Sequence, residues 1–103
     1  MIKIISQCKS EILKFPVDIR GDIADALARL DTGETLSMPL ARPMPDIGKG
    51  VYELRLKDRS GQYRVIYLLK IKGTVFVVHA FKKKTRKTPE MNINLIKKRI
   101  KEL

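Results

Sequence analysis

The chain has 103 residues, of which 44% are hydrophobic, and this length predicts one domain over residues 1–103 with a modest core. The charge is uneven: residues 1–48 hold six basic and seven acidic groups, whereas residues 49–103 hold sixteen basic and four acidic groups. The formal net charge of +11 therefore comes from the second half. This asymmetry indicates a polyanionic partner, and nucleic acid is favoured over an anionic membrane because the cations lie on predicted strands and turns.

The sequence gives no indication of a disulfide, a metal site, a membrane span or a secretion signal. The only cysteine is Cys8, which excludes an internal disulfide, and no cluster of residues has metal-ligand spacing. No apolar run approaches the roughly 20 residues that span a bilayer, and the N-terminus has no signal-peptide core. We therefore expect a soluble protein of the reducing cytoplasm that does not contact a membrane.

The first half of the chain predicts one strand and two helices. The apolar run in Met1–Ser6 predicts an edge or neighbouring strand, and Lys9–Phe15 predicts a short helix that Pro16 ends or redirects. A second helix is predicted over Val17–Leu30. Its apolar stripe has spacings of four, four and three and is formed by Ile19, Ile23, Leu27 and Leu30.

The segment after the second helix predicts turns and an irregular connection. Gly33 is suited to the C-terminal cap of the helix. Residues 36–50 contain three prolines and two glycines, so we expect an ordered connection with little regular structure.

Residues 50–87 predict a three-strand antiparallel meander on which the rest of the chain is organised. Three β-rich runs are separated by a turn at residues 58–61 and by a two-residue turn at Lys72-Gly73. The registers follow from two cross-turn pairs, Lys57 with Gln62 and Ile71 with Thr74.

These registers sort the strand side chains onto two faces. The apolar face is formed by Tyr52, Leu54, Val65, Tyr67, Val78 and Ala80. The exposed face carries a row of Arg55, Arg64 and Phe81, a row of Glu53, Ile66 and His79, and Lys83 beyond the strand end. We therefore predict an apolar face that helices cover and a solvent-exposed face with one acid, one imidazole and several cations.

The end of the chain predicts a third helix. Thr88 is suited to the N-cap and Pro89 to the first helical position. The apolar stripe of this helix is formed by Ile93, Ile96, Ile100 and Leu103. The order of elements predicts the α+β class, with helices covering one face of the sheet.

Four segments resemble, in order and spacing, the signature of the RelE/HigB-like toxins, particularly their phage-derived branch. They are Glu53-Leu54-Arg55, the run QYRVIY at residues 62–67, the run HAFKKK at residues 79–84, and Lys87-Thr88-Pro89. The resemblance covers nearly the whole chain. It implies a RelE-like fold, an antiparallel sheet of about four strands with two N-terminal helices and a C-terminal helix packed on it.

The resemblance also implies a function. Such a protein is the toxin of a type II toxin–antitoxin module, which cleaves mRNA on the translating ribosome and is held inactive by a cognate antitoxin of helix-turn-helix type. Operator DNA is bound only through the complex with the antitoxin. The implied reaction is attack of a ribose 2′-OH on the adjacent phosphate, with no metal or other cofactor.

This reaction needs a proton acceptor, cations around the phosphate and a donor to the leaving oxygen. Arg64 matches the family arginine, and with Arg55 beside it the two guanidiniums form a candidate clamp for one phosphate. The alternative interpretation is that Arg64 forms an ion pair with a surface carboxylate. Because Arg64 is expected on the exposed face, its replacement by alanine should leave the stability of the fold nearly unchanged.

Two further candidate residues, Glu53 and His79, each have two possible interpretations. Glu53 and Arg55 stand where founding RelE members carry lysines, so acid and base roles do not transfer directly. Glu53 is either a general base or the partner of a structural ion pair. His79, the only histidine, is either an acid–base catalyst on the row of Glu53 or a packed core residue.

The basic run after the third strand is either a solvated surface or part of the RNA site. By the resemblance, Lys83 contacts the phosphate or acts in catalysis, and the RNA-binding candidates are Lys82, Lys84, Arg86 and Lys87. Phe81 either stacks on a base or packs in the core. Contacts to ribosomal RNA are expected from the last helix, through Lys97, Lys98, Arg99 and Lys101.

Two other classes of function stay open. A non-catalytic module would bind RNA through the same basic face without cutting it. A DNA-binding regulator is less favoured, because the chain shows no helix-turn-helix spacing.

Overall fold

The computed structural model describes residues 1–70, 73–84 and 86–103. These residues form an α+β fold, as the order of elements predicts. The elements are β1 (Ile2–Ile4), α1 (Ser6–Leu13), α2 (Val17–Asp31), β2 (Ala41–Pro43), β3 (Val51–Asp58), β4 (Gly61–Leu69), β5 (Val75–Lys83) and α3 (Glu90–Lys101). None of the helices in these ranges is both long and apolar enough to cross a membrane.

The sheet has the strand order β1-β5-β4-β3-β2, with β1 parallel to β5 and the other pairs antiparallel. It contains one strand more than the sequence predicts. The extra strand, β2, lies within the segment expected to have little regular structure. A three-residue strand at the edge of a sheet tolerates proline, because the missing N–H need not have a partner.

The predicted registers hold in the half of the sheet that carries the candidate site. Lys57 lies opposite Gln62, and Ile66 lies opposite His79. A bulge between Ile66 and Tyr67 then shifts the pairing, so that Tyr67 faces Val77 and not Val78. The predicted Ile71–Thr74 pair and Lys72-Gly73 turn involve residues that lie outside the described ranges.

Helices cover both faces of the sheet, so the prediction of a single covered face is wrong. Helices α1 and α2 pack on the first face against the cluster that contains Leu54, Val65 and Ala80. Helix α3 packs on the second face, where Ile96 is fully buried against Val51, Ile66, Leu68 and Val78. The stripe of α3 indicates which side of the helix is apolar, but it does not indicate which sheet face it meets. Because of the bulge, Val78 belongs to this second cluster and not to the predicted apolar face.

The helix ends show one confirmed cap and one wrong prediction. Gly33 has a φ of 89° and follows Thr32, the C-cap residue of α2; this is the position at which a left-handed glycine commonly ends a helix. Thr88 is not the N-cap of α3, because Pro89 holds that position with extended backbone, and no side chain among the described residues caps the helix. The first helix begins at Ser6, three residues before the predicted start.

Candidate active site

The second face of the sheet is only partly covered by α3, and its uncovered end carries cations from three strands. Arg55 on β3 lies directly opposite Arg64 on β4, as predicted, and Lys83 at the end of β5 lies opposite Gln62. These side chains line an open groove of about 500 Å³, together with Gly61, Lys84 and Arg86. The described residues that line the groove include five cations and no carboxylate, so the groove favours an anion.

Arg64 is buried, with 3% of its surface exposed. Its guanidinium donates from Nη1 to the Tyr63 carbonyl at 3.2 Å and from Nη2 to Gln62 Oε1 at 3.0 Å. Its Nε lies 3.4 Å from Glu53 Oε1, an ion pair without hydrogen-bond geometry. Burial lowers the pKa of Arg64, the charge of Glu53 opposes that shift, and the charges of Arg55 and Arg42 add to it. The expectation of a solvent-facing arginine is therefore wrong, and the small effect of its removal on stability, which rested on exposure, loses its basis.

Glu53 lies beneath the cations and is 2% exposed. Besides Arg64, its Oε1 lies 3.9 Å from Arg55 Nε, and its Oε2 accepts a hydrogen bond of 3.5 Å from the Thr88 hydroxyl. The carboxylate therefore offsets the repulsion between two neighbouring guanidiniums and contacts the segment that leads into α3. This arrangement is the structural ion pair that the sequence left as one of two interpretations; the role of general base stays a prediction.

Lys83, like Arg55, is a half-buried cation of the groove. Burial lowers the pKa of its ammonium group, and the charge of Arg64 lowers it further. An amine whose pKa is shifted towards neutrality exchanges its proton more readily than an ordinary surface lysine. Lys83 is therefore suited to proton transfer as well as to phosphate binding.

Two residues near the groove were missed by the sequence analysis. Arg42 on β2 lies opposite Glu53, and its charge acts on the pKa values of both Arg64 and Lys83. The hydroxyl of Thr88 contacts Glu53, although the sequence assigned Thr88 to a helix cap. Arg42 carries no local signal, because it reaches the site only through the pairing of β2. Thr88 stands in a signature segment, but its contact with Glu53 depends on the path of the chain before α3.

Residues 10–101 match the family described as Phage derived protein Gp49-like (DUF891). The chain belongs to this family. Its members are of the RelE/HigB toxin type, so the chain is a RelE-like toxin of the toxin–antitoxin class.

A solved structure supports the fold of this Gp49-like toxin. The crystal structure of the isolated E. coli RelE toxin superposes with a TM-score of 0.56 and 21% sequence identity, over 95% of this chain and 96% of that chain. The two proteins share the RelE fold, as the sequence predicted. No curated protein matches the chain.

In this Gp49-like toxin His79 lies away from the groove, under α3. Its Nε2 lies 2.7 Å from Asn92 Oδ1, and its Nδ1 lies 3.1 Å from the carboxylate of Glu11. The row of Glu53, Ile66 and His79 is confirmed, but Ile66 separates the carboxylate from the imidazole. The structure therefore does not bring His79 together with the cations of the groove.

The carboxylate of Glu11 ties α1 to β5 and α3. Its Oε1 accepts hydrogen bonds from Arg99 Nη1 at 2.9 Å and from the backbone N–H of Ala80 at 3.1 Å. Burial by itself would raise the pKa of Glu11, but the hydrogen bonds to His79 and Arg99 outweigh it and lower the pKa to about 2. Arg99 is engaged in this network, which does not fit the prediction that it contacts ribosomal RNA.

The remaining candidates divide between the groove, the core and other surfaces. Phe81 is half-buried, stacks on His79 with a centroid distance of 5.2 Å and packs against the α3 cluster. Lys82 points to the opposite face, with its Nζ 5.8 Å from the centre of the Tyr63 ring. Lys82 is exposed, and so are Lys84 and Arg86 in the groove, Lys87 after it, and Lys97, Lys98 and Lys101 on α3.

The described residues contain no group of three or more His, Cys, Asp or Glu side chains placed to hold a metal ion.

Proposed function

We propose that the protein cleaves mRNA on the translating ribosome and thereby stops growth. One observation carries the proposal: Arg55, Arg64 and Lys83, from three strands, surround one groove, over a buried carboxylate that forms ion pairs with both guanidiniums. A phosphodiester is the anion that fits such a groove in a toxin of the RelE type.

In the proposed reaction, the ribose 2′-oxygen attacks the adjacent phosphorus and the bond to the 5′-oxygen breaks. Arg55 and Arg64 bind the non-bridging oxygens, on which negative charge accumulates in the transition state. Preorganisation is favourable here, because two carbonyl-type acceptors and Glu53 already hold Arg64 before RNA binds. The products are a cyclic phosphate and a 5′-OH end.

Lys83 is the proton donor to the leaving 5′-oxygen in this proposal. Arginine stays protonated at working pH, whereas the lowered pKa of Lys83 makes its ammonium a stronger acid than a surface lysine. The proton of the 2′-OH passes to solvent. Glu53 acts as a positioning residue, since guanidiniums separate its carboxylate from the groove.

Binding of the ribosome is assigned to the exposed cations outside the groove. Lys97, Lys98 and Lys101 lie on the solvent side of α3. Their contacts to ribosomal RNA depend on charge, so they contribute affinity without sequence preference. The toxin type also implies a cognate antitoxin, and a helix-turn-helix protein encoded beside this chain would support it.

Inducible expression of matched lysine variants tests this function. The parent and Lys82→Ala should arrest growth and produce new mRNA 5′ ends, whereas Lys83→Ala should not. The two lysines are neighbours on opposite faces of β5, so Lys82→Ala controls for loss of one charge in the same strand. A reporter mRNA without a start codon should stay intact if cleavage needs translation.

Normal growth and intact mRNA at high expression of the parent protein would contradict the proposal. Arrest by Lys83→Ala equal to that of the parent would remove Lys83 from the mechanism. Growth arrest without new 5′ ends would favour the other candidate, a module that binds RNA through the same groove and does not cut it.

A further inference from the structure

A second hollow, of about 420 Å³, lies beside the cationic groove on the β2 side of the sheet. Arg55, Gln62 and Arg64 line both spaces and form the wall between them. The rest of the second hollow is lined by Pro39, Leu40, Leu56 and Lys57. Most residues of the groove are therefore cations, whereas the hollow combines three apolar side chains with polar groups at its rim.

Some polar groups at this rim already form hydrogen bonds within the protein. Gln62 Oε1 accepts the hydrogen bond from Arg64, so the NH₂ group of the same amide is the part left to donate. A ligand that meets Gln62 therefore needs an acceptor atom at its edge.

The backbone edge of β3 also faces the hollow. The N–H of Arg55 donates to the Leu40 carbonyl at 2.7 Å, which directs the backbone groups of Arg55 towards the β2 side. Alternate residues of a strand point their backbone groups the same way, so those of Lys57 lie along the same edge. The paired residues of β2 begin at Ala41, opposite Leu54, and none of them lies opposite Lys57.

We propose that this hollow is a nucleobase subsite, which binds the base of a nucleotide flanking the phosphate in the groove. The inference rests on the proposed function. A base has two apolar faces and a polar edge, which match the apolar side chains and the rim donors respectively. The shared wall of Arg55 and Arg64 sets the phosphate and the base side by side, as they are in a nucleotide.

A small probe with one phosphate tests the subsite, because it can bind in fewer registers than a longer RNA. The probe is a dinucleoside monophosphate with a 2′-O-methyl group on the attacking ribose, compared with two analogues that each lack one base. Affinities are measured by NMR titration of the ¹⁵N-labelled protein. Removal of one particular base should weaken binding about five- to tenfold, and removal of the other should not. Base-dependent shifts should appear at the amides of Leu40 and Lys57.

A leucine-to-glutamine pair of variants locates the effect. Leu40→Gln replaces an apolar contact in the hollow with a polar group of similar size, and it should reduce the effect of base removal to less than about twofold. Leu69→Gln is the matched control, because Leu69 is exposed at the other end of β4. This control should keep the full effect. Leu40 is half-buried, so the titration of the parent protein decides the question if Leu40→Gln does not fold.

The outcomes separate the subsite from the proposed function. Equal affinities for all three probes, or an unchanged base effect in Leu40→Gln, would overturn the subsite even if cells show mRNA cleavage. A base effect that Leu40→Gln removes would support the subsite, and the absence of new mRNA 5′ ends in cells would then count against endonuclease activity alone.

Discussion

The buried ion pair between Arg64 and Glu53 predicts that Arg64→Ala changes both stability and activity. The substitution removes a guanidinium whose Nε lies 3.4 Å from a carboxylate that is only 2% exposed. Removing one partner of a buried pair costs about 3–5 kcal/mol, because the other charge stays buried without compensation. Arg55 remains 3.9 Å away, so we expect the lower end, about 3 kcal/mol. For a domain of this size that corresponds to a fall of about 10 to 20 °C in Tm.

The loss of activity should exceed what the loss of folded protein explains. Removal of a preorganised cation costs about 10² to 10³ in rate. Leu54→Ala is the matched control for stability, since Leu54 is fully buried on the opposite face and its truncation costs about 2–5 kcal/mol through a cavity. It should leave the rate per folded molecule unchanged. The double variant Arg64→Ala with Glu53→Gln should regain much of the lost stability, because the Glu53 carboxylate that lost its closest partner is then replaced by a neutral amide. It should regain none of the activity.

Urea unfolding followed by circular dichroism measures the first effect, and cleavage of mRNA on programmed ribosomes at equal folded concentration measures the second. If Arg64→Ala unfolds at the same urea concentration as the parent, the ion pair does not stabilise the fold. If Arg64→Ala cleaves at the parental rate, the assignment of Arg64 to transition-state stabilisation is wrong.

Three further predictions concern pH and salt. If Lys83 is the proton donor, the cleavage rate should fall as pH rises through its lowered pKa. Lys83→Arg should move that fall to higher pH or remove it. Superimposable pH–rate profiles of the parent and the variant would argue against the donor role. Replacing Lys97, Lys98 and Lys101 with Ala should lower the log–log salt slope of ribosome binding by about one unit per lost phosphate contact, with an unchanged circular dichroism spectrum; a parental slope would show that α3 does not contact RNA. The pKa of Glu11 falls from 4.5 to about 2 on folding, so its contribution of about 3 kcal/mol is present above pH 4.5 and is lost as pH falls towards 2. Glu11→Gln should abolish that part of the acid unfolding curve, and acid stability equal to the parent would refute the linkage.

The registers of the meander show how far sequence patterns determine the fold. Alternation of polar and apolar residues in β3 and β4 fixes which face each side chain occupies, because a one-residue slip would bury charges. The bulge after Ile66 carries no such signal. Tyr67, Val77 and Val78 are all buried, so either valine satisfies the pattern, and only the packing of α3 on Val78 distinguishes them.

The sequence by itself therefore determined the α+β class, the RelE-like resemblance and the grouping of Arg55, Arg64 and Lys83 on one face. The class and the grouping of the cations follow from periodicity and short turns, whereas the resemblance rests on four segments whose order and spacing match a known family. The tertiary structure decided what surrounds those cations: the burial of Arg64, the approach of Arg42 and Thr88 to the groove, and the distance of His79 from it. Periodicity specifies the direction of a side chain relative to its own strand. Burial and partners depend on which distant segments pack over that strand, and that information is not local.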